Sequence, residues 1–154
     1  MSNSRTPSTE SKTLDELNRD VYILANLVAT RFGADIDSLC REEDITESHY
    51  RILWVLCLSK SRNGMTMGEI VDGLVNKASD STRLVDKLER QGLVTRTLSA
   101  SDKRKVIVSV SRAGRQVFTR LTPKIKKAHV EQMNGLSTTE KKQLVSLLNK
   151  ALWG

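Results

Sequence analysis

A chain of 154 residues with 38% hydrophobic side chains is long enough for one core, and its formal charge of +7 favours an anionic partner. No apolar run approaches the roughly 20 residues of a membrane helix and no signal-peptide pattern is present, so no membrane partner and a cytoplasmic location are expected. Cys40 and Cys57 form no CxxC pair, and His49 and His129 are the only other soft ligands, so no disulfide framework, metal site or cofactor is expected.

The charge is segregated along the chain. Residues 1–50 hold five Lys/Arg against ten Asp/Glu, whereas residues 76–127 hold fourteen against four. The basic excess therefore belongs to the middle of the chain, where an anion-binding surface is expected.

Residues 1–13, rich in Ser, Thr and Asn, bury too little apolar area to offset ordering entropy and are expected to form a disordered tail. From Leu14, the positions Leu14, Leu17, Val21, Leu24 and Val28 alternate by three and four, a helical seam that ends near Phe32 and needs a partner. Residues 34–44 extend that helix or form a connection; the pattern fits both. Thr46 then caps a helix whose apolar block runs to Leu58, with Cys57 read as a small core residue. After the break at Ser61–Gly64, Thr66 and Glu69 form a capping box, in which each side chain bonds the other's backbone amide, and open a short helix that stops near Gly73.

The stretch from Asn76 to Gly92 carries the next helix. Ala78, Ser81, Val85 and Leu88 line one side with Leu84 beside them, while Ser79, Asp80, Arg83, Lys87 and Arg90 face outward. Gly92 supplies the left-handed residue that ends it. A short helix, a turn and a helix with a polar outer face make a helix-turn-helix. Two β-branched runs follow, Leu93–Leu98 and Val106–Val110, flanking the polar stretch from Ser99 to Lys105, and predict a hairpin with a cationic tip. A hairpin behind a helix-turn-helix is a wing.

Ser111 caps a further helix with Val117, Leu121, Ile125 and Ala128 on its buried side and a kink predicted at Pro123. Ser137 and Glu140 form another capping box before a last helix with Leu144, Val145, Leu148 and Leu152 on one face. The expected fold class is mainly α with a small β-hairpin wing (α+β), a winged helix-turn-helix with N- and C-terminal dimerisation helices. Residues 14–44 and 112–154 are assigned to dimerisation and 45–111 to DNA binding. Two copies paired through the ends would present their recognition helices to successive major-groove turns, about 34–36 Å apart.

The ordered set of Thr66-Met-Gly-Glu-Ile, Ser81-Thr-Arg-Leu-Val-Asp-Lys-Leu-Glu-Arg-Gln-Gly-Leu-Val94 with Arg96, Ser101-Asp-Lys-Arg104 and Ser111-Arg-Ala-Gly114 resembles the multiple-antibiotic-resistance regulator (MarR) family. The resemblance covers nearly the whole chain, from about Leu14 to Trp153, and implies a homodimeric transcriptional regulator that binds a pseudo-palindromic operator in double-stranded DNA. It departs from the family at Val110-Ser111, where Leu-Thr is usual; a hydrophobic residue and a hydroxyl cap remain.

By position, the resemblance places Lys77, Ser79, Asp80, Ser81, Thr82, Arg83 and Lys87 on the recognition helix and Ser101, Asp102, Lys103, Arg104 and Lys105 on the wing. Arg83 suits two hydrogen bonds to guanine O6 and N7, whereas Ser and Thr fix phosphates. Arg104 is implied to enter the narrow minor groove, with Asp102 orienting a basic side chain or stabilising the turn, two roles one residue can combine. Family members bind small phenolic or anionic effectors, for which His49, Tyr50, Arg51 and Trp54 are the candidate pocket here; simple core packing is the rival reading of these residues. The expected function is a repressor whose DNA binding is modulated by such a ligand. Alternatives are a non-specific architectural or protein-interaction winged helix and a cysteine-based oxidant sensor at Cys40. An enzyme is not expected: there is no Gly-rich phosphate loop, metal cluster or anchored Ser/His/Asp arrangement.

Overall fold

The computed structural model describes residues 12–61, 64–74 and 80–154. They form α1 (Leu14–Arg41), α2 (Glu47–Leu58), β1 (Met65–Thr66), α3 (Met67–Gly73), α4 (Ser81–Arg90), β2 (Val94–Leu98), β3 (Val106–Val110), α5 (Arg112–Gln132) and α6 (Thr138–Trp153). The chain divides into a unit ending at Ala34 and a unit from Asp35 onward. The expected tail lies almost wholly outside the described residues.

In the first unit, Thr13 and Glu16 cap α1 reciprocally: the Thr13 amide donates to Glu16 Oε2 at 2.8 Å, and the Glu16 amide donates to Thr13 Oγ1 at 3.4 Å. Of the predicted seam, Leu14, Val21, Leu24 and Val28 are exposed and Leu17 is half-buried. Of the two readings left open for residues 34–44, the helix extends to Arg41 and a turn follows at 42–44.

In the second unit, the core is built from Ile36, Ile52, Leu53, Ile70, Leu88, Val108 and Leu121, each from a different element except the pair on α2. Turn residue Asp44 has φ 57°, a left-handed conformation that Asp tolerates, and Gln91 Nε2 donates to its carbonyl at 2.9 Å. Tyr50 stacks on Phe118 with ring centroids 5.8 Å apart, and its hydroxyl lies 3.2 Å from Thr122 Oγ1, joining α2 to α5.

The predicted hairpin is present with register Val94↔Val110 to Leu98↔Val106. The sheet is nevertheless three-stranded, because β1 pairs with the free edge of β3 through Met65↔Val108 and Thr66↔Ile107. This two-residue strand makes the wing's return strand the central one and ties it to the start of α3. The capping boxes at Thr66/Glu69 and Ser137/Glu140 form as the spacing predicts, and Ser111 Oγ accepts the Gly114 amide at 3.0 Å. Pro123 does not interrupt α5, which runs from Arg112 to Gln132 with the proline inside. Proline removes only its own amide, and the remaining ladder is held by the packing of Val117, Leu121 and Ile125 in the core.

Candidate nucleic-acid interface

The helix expected from Lys77 begins at Ser81, with Asp80 as its N-cap residue in a non-helical conformation. Lys77 and Ser79, both expected on the recognition surface, lie outside the described residues. Val85 and Leu88 face the core as the periodicity predicts, and Gly92 adopts φ 70° after the last turn. There the Leu93 amide reaches back to the Leu88 carbonyl at 2.8 Å and the Gly92 amide to Glu89 at 2.8 Å, closing the helix.

Ser81 corrects the expected contact set. It is only 4% exposed, so its hydroxyl faces the interior and is not offered to DNA. The position belongs to the same stripe as Val85 and Leu88, and that geometry overrides the polarity of the side chain. Thr82, Arg83, Lys87 and Arg90 are exposed, the last three on one strip at i, i+4 and i+7. Arg83 has 82% of its side chain accessible, and the Asp80 carboxylate 3.5 Å away is itself exposed, a loose pair that leaves the guanidinium available.

The neighbouring strip of α4, at Asp86 and Glu89, is acidic, and both carboxylates are engaged. Arg96 on β2 places Nη2 2.6 Å from Asp86 Oδ1 and Nη1 2.9 Å from Glu89 Oε2. In the sequence Arg96 stands within the motif set with no role of its own; the i, i+3 spacing of Asp86 and Glu89 opposite a strand arginine is the signal that points to the contact.

The wing tip is organised by two short side chains. Ser99 Oγ accepts the Ser101 amide at 3.3 Å and the Asp102 amide at 3.4 Å, and the Lys105 amide donates to the Asp102 carbonyl at 2.9 Å. Asp102 Oδ1 accepts both the Arg104 amide at 3.1 Å and Arg104 Nε at 3.3 Å. Asp102 thus bonds both the backbone of the turn and the Arg104 side chain. Arg104 remains 93% accessible, and Ser101, Lys103 and Lys105 are exposed around it.

The four residues proposed as an effector pocket do not converge. His49 and Tyr50 are buried, whereas Arg51 is exposed and paired with Glu47 at 2.6 Å, and Trp54 is exposed. Consecutive positions on α2 point to different sides, so one helix face does not hold all four. His49 borders a cavity beside α4. That cavity, about 350 Å³, is lined by His49, Asp80, Arg83, Leu84, Lys87 and Arg90.

His49 is 3% exposed, and its ring replaces the usual carboxylate of a capping box: Nδ1 accepts the Thr46 amide at 3.2 Å. The neutral ring then carries its proton on Nε2, which is buried and has no hydrogen-bond partner among the described residues. Burial, reinforced by the charge of Lys87 and opposed by Asp37, lowers the pKa of this histidine. Cys40 is completely buried and burial, with Asp37 and Glu47 adding to it, pushes its thiol up to about 12, the reverse of what a reactive thiolate needs. Among the described residues there is no cluster of three or more metal-ligating side chains and no helix long and apolar enough to cross a membrane.

Residues 43–105 match the family model described as MarR family. The chain is 26% identical over 145 residues to the uncharacterized HTH-type transcriptional regulator YfiV of Bacillus subtilis, covering 90% of this chain and 87% of that one. Other relatives at 25% and 27% identity include transcriptional repressors and an activatory protein. Among solved structures, a mutant MarR from Escherichia coli complexed with operator DNA superposes with a TM-score of 0.78 at 22% identity, covering 92% of this chain and 99% of that one. CouR from Rhodococcus jostii bound to p-coumaroyl-CoA gives a TM-score of 0.74 at 23% identity, covering 89% and 94%. With the capped helices, the three-stranded wing and the cationic strip of α4 in place, these matches show a chain with the winged-helix fold that is similar to the MarR family of transcriptional regulators.

Proposed function

We propose that this protein is a homodimeric repressor that binds a pseudo-palindromic operator through α4 and the wing and is released by a small anionic or aromatic effector. The observation that carries the reading is the pairing, within one unit, of the Arg83, Lys87, Arg90 strip with the exposed Arg104 at the wing tip. In this reading Arg83 reads a base edge in the major groove, Thr82, Lys87 and Arg90 set the register on phosphates, and Arg104 enters the minor groove flanked by Ser101, Lys103 and Lys105. A dimer seated across a promoter excludes polymerase, which is the simplest route to repression.

Residues 14–44 and 112–154 are assigned to dimerisation and 45–111 to DNA binding. Support comes from two amphipathic elements. The N-terminal part of α1 exposes Val21, Leu24 and Val28, and α6 has no buried residue while exposing Val145, Leu148 and Leu152. Such faces are covered in a folded protein by a partner, and a second copy is the occupant that also gives two recognition helices their spacing.

The effector reading is supported by the cavity beside α4, whose lining combines Arg83, Lys87 and Arg90 with the buried His49 donor. An anion held there would compete with DNA phosphates for the same cations. Selection of bound genomic fragments, repeated with phenolic acids present, identifies operator and effector together. At matched salt, the selected fragment is expected to bind at least about a thousandfold tighter than random duplex; a ratio near one overturns the reading, because phosphate neutralisation alone does not discriminate sequences.

A further inference from the structure

Arg96 lies on neither of the two surfaces assigned to DNA. Its side chain is only 25% accessible, and its guanidinium is turned from β2 onto α4, where one planar fork spans Asp86 and Glu89 at 2.6 and 2.9 Å. The two acids stand one turn apart on the same helical strip, a separation that a fork with several fixed donors can bridge and a single ammonium cannot bridge equally well. The strand beneath is itself anchored. Arg96 is registered opposite Val108, a fully buried residue of the central strand, which is paired on its other side with Met65.

Both ion pairs described between the hairpin and α4 pass through this one side chain. The wing tip, by contrast, is organised by contacts within itself, through Ser99, Asp102 and Lys105. Those contacts set the shape of the tip but not its direction relative to the helix.

We propose that Arg96 is a positioning residue for DNA binding: it clamps the wing base to the recognition helix, so that Arg83 and Arg104 meet the two grooves as one preorganised body. The clamp has a second consequence. It engages two carboxylates that would otherwise stand unpaired beside phosphates approaching α4, where like charge costs affinity. When the clamp is open the hairpin samples more directions, and binding must then order it, which weakens the wing's contribution even though Arg104 is unchanged.

The proposal rests on the assignment of α4 and the wing to DNA, and its test separates the two. In the full-length protein, operator affinity is measured for Arg83→Ala and Arg104→Ala, each in the parent and in an Arg96→Ala background. Arg104→Ala is expected to weaken binding about tenfold in the parent and less than about threefold when Arg96 is absent, since the two residues then act as a coupled pair. The cost of Arg83→Ala is expected to keep its size in both backgrounds. Arg96→Lys, with its charge but no fork, is expected to fall between. Equal costs of Arg104→Ala with and without Arg96 would overturn the clamp.

A second measurement needs no DNA. With spin labels on Thr82→Cys and Ser101→Cys in a Cys57→Ser background, the helix-to-wing distance distribution is expected to broaden on Arg96→Ala, and an unchanged distribution refutes the proposal. If Arg96→Ala does not fold, Asp86→Asn with Glu89→Gln opens the same clamp from the helix side and is read in both assays. An Arg104→Ala variant that binds like the parent would instead overturn the wing–DNA assignment, leaving the label distances to decide the clamp.

Discussion

Gly114 packs directly onto the main chain at Leu93: a Cβ at this position would lie 2.0 Å from the Leu93 carbonyl oxygen and 3.0 Å from Val110 Cγ2. The same carbonyl accepts the Ser111 amide at 3.0 Å, and Ser111 Oγ donates to the Gly92 carbonyl at 2.7 Å. The start of α5 is thereby stapled to the turn that ends the recognition helix. Gly114→Ala leaves no room for a flexible neighbour to move, since the opposing atom is backbone. It is expected to lower unfolding free energy by about 1–3 kcal/mol, as overpacking does. A denaturant midpoint equal to the parent's would refute the close approach.

Arg83 and Arg104 are expected to fail in different ways. Arg83→Ala should cost on the order of 1–3 kcal/mol on the selected operator and relax discrimination at one base pair. Arg104→Ala should weaken binding with little change in major-groove preference, and Lys87→Ala should weaken all sequences alike while reducing the salt slope by about one. Affinities on single-base operator variants across a salt series separate the three. If neither arginine variant differs from the parent, the interface is elsewhere.

His49 gives the fold a pH dependence whose sign follows from its environment. Burial, and then Lys87, lower its pKa from the ordinary 6.5, so the unfolded chain binds a proton more readily than the folded one. Stability is therefore full above about pH 6.5 and is lost as pH falls from there towards the lower folded value. His49→Gln keeps an acceptor for the Thr46 amide and removes the titration. The parent's Tm is expected to fall between pH 7 and 5.5 more steeply than the variant's; parallel curves would rule the histidine out as the source.

Cys40 is expected to be inert. With the thiol buried and its pKa pushed up to about 12, the thiolate that peroxide attacks is essentially absent at neutral pH. Peroxide titration should leave operator affinity unchanged, and alkylation of Cys40 should await unfolding. Loss of DNA binding upon oxidation that Cys40→Ser abolishes would restore the sensor reading.

Local chemistry was legible in the sequence wherever it closed on itself within a few residues. The reciprocal bonds of Thr66 with Glu69 and of Ser137 with Glu140, the glycine stop at Gly92 and the β-branched runs around a polar tip depend on spacing alone, and each element stands where that spacing put it. The ordered motif set carried the fold class for the same reason. The cationic strip of α4 was likewise readable from helical period.

Tertiary structure decided the rest, because those features depend on partners distant in sequence. Two residues at Met65–Thr66 are too short to signal a strand, and only the open edge of Val106–Val110 makes them one. For Ser81 the helical period gives the buried stripe and the family resemblance a contact to DNA, and burial decides for the stripe. The four α2 residues read as one pocket until the helix sends them to different sides, with His49 at a cavity shared with α4. Arg96 is one more basic residue in the sequence; the fold brings it onto Asp86 and Glu89, and a charge becomes a clamp because burial and geometry fix what composition leaves open.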